Sequence, residues 1–306
     1  MAEVICAGVA FLDHVFRVGG GGLPGNRAFA EGYRPTGGGM AATAAVAVAR
    51  LGGQAALWSR LGDDAAGRLI LDELSTYGVD TTGVRIVSGA QSPVSAVTIE
   101  SNGERKLVVY PGAGLDASPE WLPLARIEET SAVLVDCRWP EAAEAVLARA
   151  ADHRVPALLD AEIGPEPVPT LLVALASHVI FSRDGLVQFT GIDDVPRALS
   201  AAARRTRGFV GATAGAEGFY WFDPGAGTRH LPAPAIETVD TLGAGDVFHG
   251  AFALALGEGK DVETAARFAT VAASLACTGH GRAAIPDRAA AWGVLDGDRR
   301  TARKVA

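Results

Sequence analysis

Residues 240–250 read DTLGAGDVFHG, with Asp240 and Asp246 flanking the small residues Gly243, Ala244 and Gly245. Glycines let a chain turn sharply without side-chain clash, and Thr241 is suited to capping a helix. Val247, Phe248, Ala251, Phe252, Leu254 and Ala255 then form a stretch apolar almost all round, which predicts a buried helix. The first turn of such a helix points free N–H groups at its mouth, where the dipole adds a modest preference for an anion. Asp246 falls at the same mouth. A carboxylate that takes a proton from a hydroxyl, beside N–H groups that hold a transferring phosphate, is the minimum machinery for phosphoryl transfer to an alcohol. The plainer alternative is that Asp246 satisfies only its own helix N-terminus.

A second stretch, RPTGGGMAATAAVAVARLGG at 34–53, sets three glycines before an alanine-rich helix. Bare backbone and a helix N-terminus let a ligand come close; a flexible loop before a tightly packed helix is the competing reading. No G-x-x-x-x-G-K-[ST] loop is present, and GEGKD at 257–261 lacks its hydroxyl and spacing. Gly19–Gly22 do not sit in a strand–turn–helix dinucleotide context, and no G-x-S-x-G elbow occurs. His249, one turn into the buried helix, reads as a core or substrate-side histidine rather than a metal ligand.

These residues need a scaffold. Short apolar runs (Val4–Ala10, Gln54–Ser59, Ala132–Val135, Ala157–Leu159, Val179–Phe181, Phe209–Ala212) alternate with helical patterns at Ala41–Leu51, Asp64–Tyr77 and near 140–153, 168–176 and 196–207. That rhythm predicts an α/β protein with a parallel sheet covered on both faces. Residues 14–36 are polar, Gly-rich and non-helical, and residues 91–111 alternate around an Asn102-Gly103 hairpin turn. Together they predict a small antiparallel flap built from two inserts, able to cover a site at the sheet edge. No interdomain linker is evident, so 1–306 reads as one domain.

With 306 residues and 49% hydrophobic content, the chain has enough material for a large core. A net charge of −8 with no basic stripe argues against nucleic acid. Cys6, Cys137 and Cys277 lie far apart in apolar surroundings and read as buried free thiols. With no signal-peptide pattern and no long apolar span, the expectation is a cytoplasmic protein with no membrane partner.

DTLGAGD, GGGMAATAAVAVARLGG and TAGAEG (213–218), in this order and spacing, resemble the ribokinase-like (PfkB) carbohydrate kinases along essentially the whole chain. The resemblance implies a three-layer α/β/α sandwich, mostly parallel, with a small β-sheet lid, and ATP-dependent phosphorylation of a sugar hydroxymethyl group with Mg²⁺. It implies Asp246 as base, Gly243, Ala244 and Gly245 as the anion hole, and Asp240 as a position that helps hold a monovalent cation, commonly K⁺. It also implies Asp13 as receiver of sugar hydroxyls, Gly38 and Gly39 against the sugar, and Thr213, Gly215 and Gly218 under the nucleotide. Two departures stand out. Ser182-Arg183-Asp184-Gly185 replaces the Asn-x-x-Glu of many members, and Thr43 replaces an asparagine common beside the sugar.

Within the family, DCRWPEAA (136–143), FSRDGL, GAGDVFHGA and GRAAIPD (281–287) are most similar to kinases of 6-deoxy-6-sulfofructose. That likeness implies Arg138 and Arg27 as clamps for a sulfonate, for which a planar fork of donors is suited; a surface ion pair is the alternative for either. Val109 stands where those kinases tend to carry an amide. A neutral sugar acceptor of ribokinase, fructokinase or ketohexokinase type, a nucleoside acceptor, and a non-catalytic sugar- or nucleotide-binding regulator are the other readings. The edges of the flap predict a homodimer.

Overall fold

The computed structural model describes the backbone of residues 1–19, 28–100 and 105–305. Arg27 and the Asn102-Gly103 turn lie outside these residues. In chain order the strands are β1 (Glu3–Ala7), β2 (Phe11–Val18), β3 (Ala30–Gly38), β4 (Gln54–Gly62), β5 (Asp80–Val87), β6 (Val94–Glu100), β7 (Arg105–Tyr110), β8 (Ala132–Asp136), β9 (Ala157–Ala161), β10 (His178–Ser182), β11 (Phe209–Thr213), β12 (Phe219–Asp223) and β13 (Gly227–Leu231). The helices are α1 (Met40–Arg50), α2 (Ala65–Thr76), α3 (Pro140–His153), α4 (Thr170–Leu175), α5 (Arg183–Thr190), α6 (Val195–Ala203), α7 (Ala244–Gly257), α8 (Val262–Ala276) and α9 (Arg288–Val305).

Nine strands form the large sheet in the order β13-β12-β11-β10-β9-β8-β1-β4-β5. All its pairs are parallel except β11–β12 and β12–β13. Side chains alternate across a strand, and the two cores follow that rule. Val4 and Cys6 of β1 face the core that holds α1, α7 and α8, while Ile5 and Ala7 face the one that holds α3 and α6. Three layers result.

The second sheet has the order β3-β2-β6-β7. Both expected inserts contribute, but the sheet is not purely antiparallel: β2 and β6 pair in parallel. Each leaves the large sheet after a strand of the same sense, β1 or β5, so the two outgoing strands run the same way. The polar 14–36 stretch, expected as one of the flap's two inserts, carries most of β2 and β3. The pleat sorts this lid into two faces. Thr36, Asp13, Ser95 and Val109 form one cross-strand row on the inner face, and Pro35, His14, Ala96 and Val108 form the next row, facing out.

Candidate active site

A cleft of about 620 Å³ opens between the lid's inner face and the C-terminal ends of the parallel strands. Behind its wall lies Asp136, which is fully buried at the end of β8. This carboxylate accepts hydrogen bonds from the N–H groups of Val9 (2.7 Å), Ala41 (3.3 Å) and Arg138 (2.9 Å). It fixes the start of the lid, the start of α1 and the loop bearing Arg138 together. A Cβ on Gly8 would meet it at 2.0 Å, and this is why the Val4–Ala10 run breaks there. One donor at the N-terminus of α1, the Ala41 N–H, is therefore taken by the protein's own carboxylate, while Gly39 and Met40 line the cleft.

The N-terminus of α7 differs. Gly243 takes the left-handed conformation (φ 77°) as N-cap, and no side chain caps the helix. Thr241 contributes only a carbonyl, which accepts from the Ala244 N–H at 3.3 Å. Nothing lies within 4 Å of where a Cβ on Gly245 would sit. Gly243, Ala244 and Asp246 line the cleft. Asp246 keeps a partial opening to it but is otherwise enclosed. Its pKa is raised well above the ordinary carboxylate value, by burial first and then by the charge of Glu162, while Arg282 works against the rise.

Facing this end, Asp13 is buried on β2 and accepts from the Ser95 hydroxyl at 2.6 Å. Burial raises its pKa too. Gly38 is bare for a steric reason, because a Cβ there would meet the Asp13 carboxylate at 2.0 Å. Gly39 (φ 90°) packs its backbone on Val9 and Ala10. Both glycines and Thr43 line the cleft, as do Leu107 and Val109 from β7. Arg138 also lines it; its guanidinium donates to the Ile163 carbonyl and forms no ion pair among the described residues. Asp240 lies at the rim with its oxygens already engaged. Arg34 of β3 binds it at 2.8 Å, with Arg105 of β7 at 3.8 Å and His280 at 3.5 Å.

A family model described as pfkB family carbohydrate kinase matches residues 1–288. The chain belongs to that family. It is 31% identical over 274 residues to the ribokinase of Bacillus subtilis (strain 168), covering 86% of this chain and 89% of that one. It is 31% identical to fructokinase-1 of Oryza sativa subsp. japonica, covering 92% and 93%. The structure of Arabidopsis thaliana ribokinase complexed with ribose and ATP superposes with a TM-score of 0.85 at 27% identity, covering 96% and 98%. The PfkB kinase described here is accordingly an ATP-dependent carbohydrate kinase of ribokinase/fructokinase type.

In this PfkB kinase, Thr213, Gly215 and Gly218 do not line the cleft. They form the turn from β11 to β12, where Gly218 (φ 100°) has no room for a Cβ beside the Leu231 carbonyl (2.2 Å). Ser182-Arg183-Asp184-Gly185 begins α5. Ser182 caps the Gly185 N–H, and Arg183 pairs with Glu217 at 2.5 Å. His249 belongs to the core: Nε2 faces the Ile180 carbonyl at 3.3 Å, and burial lowers its pKa to about 4. Three residues of the cleft region went unrecognised in the sequence: Asp136, Asp160, which burial raises well above an ordinary carboxylate, and Arg282. The signal for the two aspartates was an acid ending an apolar strand. Arg282 gave none beyond its motif.

Proposed function

We propose that this PfkB kinase transfers the γ-phosphoryl group of ATP to a primary hydroxyl of a small neutral sugar of the ribose or fructose type. The observation that carries the reading is that Asp246 and the uncapped N-terminus of α7 share one cleft with Asp13 of the lid. Asp13, with Gly38 and Gly39 behind it, receives sugar hydroxyls and orients the acceptor. Asp246 takes the hydroxyl proton as the acceptor oxygen bonds to the γ-phosphorus. The bond from that phosphorus to the β,γ-bridging oxygen breaks in line, and ADP leaves. The N–H groups of 243–246 hold the charge of the transferring group. The lid excludes water. Thr213, Gly215 and Gly218 lie under the nucleotide.

Mg²⁺ neutralises phosphate charge when it is carried in by ATP. Among the described residues no group of three or more His, Cys, Asp or Glu side chains is placed to hold a metal ion alone. That fits an ion ligated mainly by the ATP oxygens. A monovalent cation at Asp240 does not fit, because two guanidinium groups and an imidazole already meet that carboxylate.

A positioned base supplies roughly 10²–10⁴-fold in rate. Asp246→Asn should lower kcat by about that factor while ATP binding, read by thermal shift, persists. Undiminished turnover would exclude Asp246 as base, and no ADP release across a broad sugar panel would favour the binding-regulator alternative. One observation favours a second acceptor, an anionic ketohexose such as 6-deoxy-6-sulfofructose: Arg138 lines the cleft and forms no direct ion pair among the described residues. A panel of ribose, fructose, fructose 6-phosphate, tagatose 6-phosphate and 6-deoxy-6-sulfofructose separates the two. If the anionic reading holds, Arg138→Ala selectively removes turnover of the anionic sugars. The same proposal takes the chain as one kinase unit whose lid packs on a second copy.

A further inference from the structure

Arg282 is the only buried lysine or arginine among the described residues. It lies in the short turn before α9 and lines the cleft together with Asp13 and Asp246. Its donors are distributed over three elements. Nη2 gives to the Gly38 carbonyl at 2.8 Å and to the Thr43 hydroxyl at 3.1 Å, and Nε lies 3.3 Å from the same hydroxyl. Nη1 meets Glu73 of α2 at 3.3 Å. The pair packs so closely under the backbone that a Cβ on Gly37 would meet Glu73 at 1.8 Å and Arg282 at 2.1 Å. An ion pair that buries its cation is poor evidence of stabilisation, since desolvation of the guanidinium offsets much of the attraction. A cation retained in an acceptor cleft calls for another account.

We propose that Arg282 is a positioning residue for the phosphoryl acceptor: it holds the Gly37–Gly39 strip against the sugar and sets one positive charge beside the sugar-side carboxylate Asp13 and the base Asp246. The inference rests on the assignment of Asp246 as base. Asp246 is faced by Asp13 on β2, by Asp136 ending β8, by Asp160 and Glu162 at the end of β9, and by Arg282. Arg138, after β8, acts on Asp136 and Asp160. Among the charges that weigh most on Asp246, Arg282 is the cation, and it pulls both Asp246 and Asp13 down against the effect of burial. A base must be ionised to work, so this charge extends activity toward lower pH.

The test compares Arg282→Gln and Arg282→Lys, each checked for folding by thermal melting, with whichever of D-ribose and D-fructose turns over faster as acceptor. In Arg282→Gln the acidic limb of the kcat/KM profile should move to higher pH, by about one unit for the loss of an opposite charge in the same cleft. Arg282→Lys keeps the charge and loses the fork. Its limb should stay near that of the native enzyme, while KM for the sugar rises at least tenfold and KM for ATP holds. A folded Arg282→Gln with an unmoved limb overturns the charge role. A folded Arg282→Lys with native sugar KM overturns the positioning role. If Arg282→Gln does not fold, the Arg282→Lys limb decides: a shift as large as one unit, with the charge retained, counts against the proposal. Asp246→Asn run in parallel separates the two layers. Its inactivity alongside an unmoved limb leaves the base standing and removes only Arg282.

Discussion

As the proposed base, Asp246 must lose its proton before it can accept one from a sugar. Its pKa lies above the ordinary carboxylate range because the cleft encloses it and Glu162 faces it. Activity that requires the ionised form is present above that pKa and falls as pH drops through it. The acidic limb of the native kcat/KM profile should therefore lie clearly above pH 4, where a solvated aspartate titrates, and a limb at or below 4 would contradict the enclosure. Asp240 makes a second prediction. With its carboxylate held by Arg34 and Arg105, replacing K⁺ by Na⁺ at constant ionic strength should leave turnover within about twofold, since only general screening then acts. A large K⁺ activation would mean that those arginines yield the site. The legible residues were those whose role is local. Gly243, Ala244, Gly245 and Asp246 declare a turn and a helix mouth within one short stretch. Asp136 and Arg282 act on partners 127 and 239 residues away in the chain, and nothing local announces such contacts.

The elements that bring these residues together divide the same way. Strands β1, β4 and β8 to β11 were readable because a parallel strand buried on both faces is a short continuous apolar run. Strand β5 was not: it is an edge strand with only one buried residue, and begins Asp80-Thr81-Thr82. β12 and β13 turn the far edge antiparallel; β12 is mostly aromatic (Phe219, Tyr220, Trp221 and Phe222), β13 is mixed polar, and neither is the short aliphatic run of a buried parallel strand. The lid was foreseen as an insertion, but the parallel β2–β6 pair depends on the direction in which each insert leaves the sheet, which no local pattern contains. Its inner row gives a prediction at this scale. In Gly38→Ala the new methyl would meet Asp13 and push its carboxylate off the row. KM for the sugar should rise about ten- to a hundredfold, the cost of misplacing a group by an ångström, while KM for ATP stays constant.

Across the whole molecule, the lid's outward row leaves apolar surface in water. Val108 is 73% exposed, and Tyr33 and Tyr110 accompany it on that face. β3 and β7 are both edge strands, and open edges pair readily. A second copy would cover this face, so the mass in solution should be that of a dimer. Val108→Glu, which would bury an unpaired charge in such a contact, should shift it to the monomer; an unchanged mass would place the contact elsewhere. Where the lid meets the sheet and α1, Gly8 and Asp136 occupy a single volume that admits one side chain and not two. For descent this makes them one heritable unit. A lineage that replaces Gly8 must first or at once shorten residue 136, and in doing so releases the first lid strand, α1 and the Arg138 loop together. Divergence among sugars should therefore accumulate at lid positions such as Leu107 and Val109, which line the cleft without such a shared volume, and stay frozen at this pair.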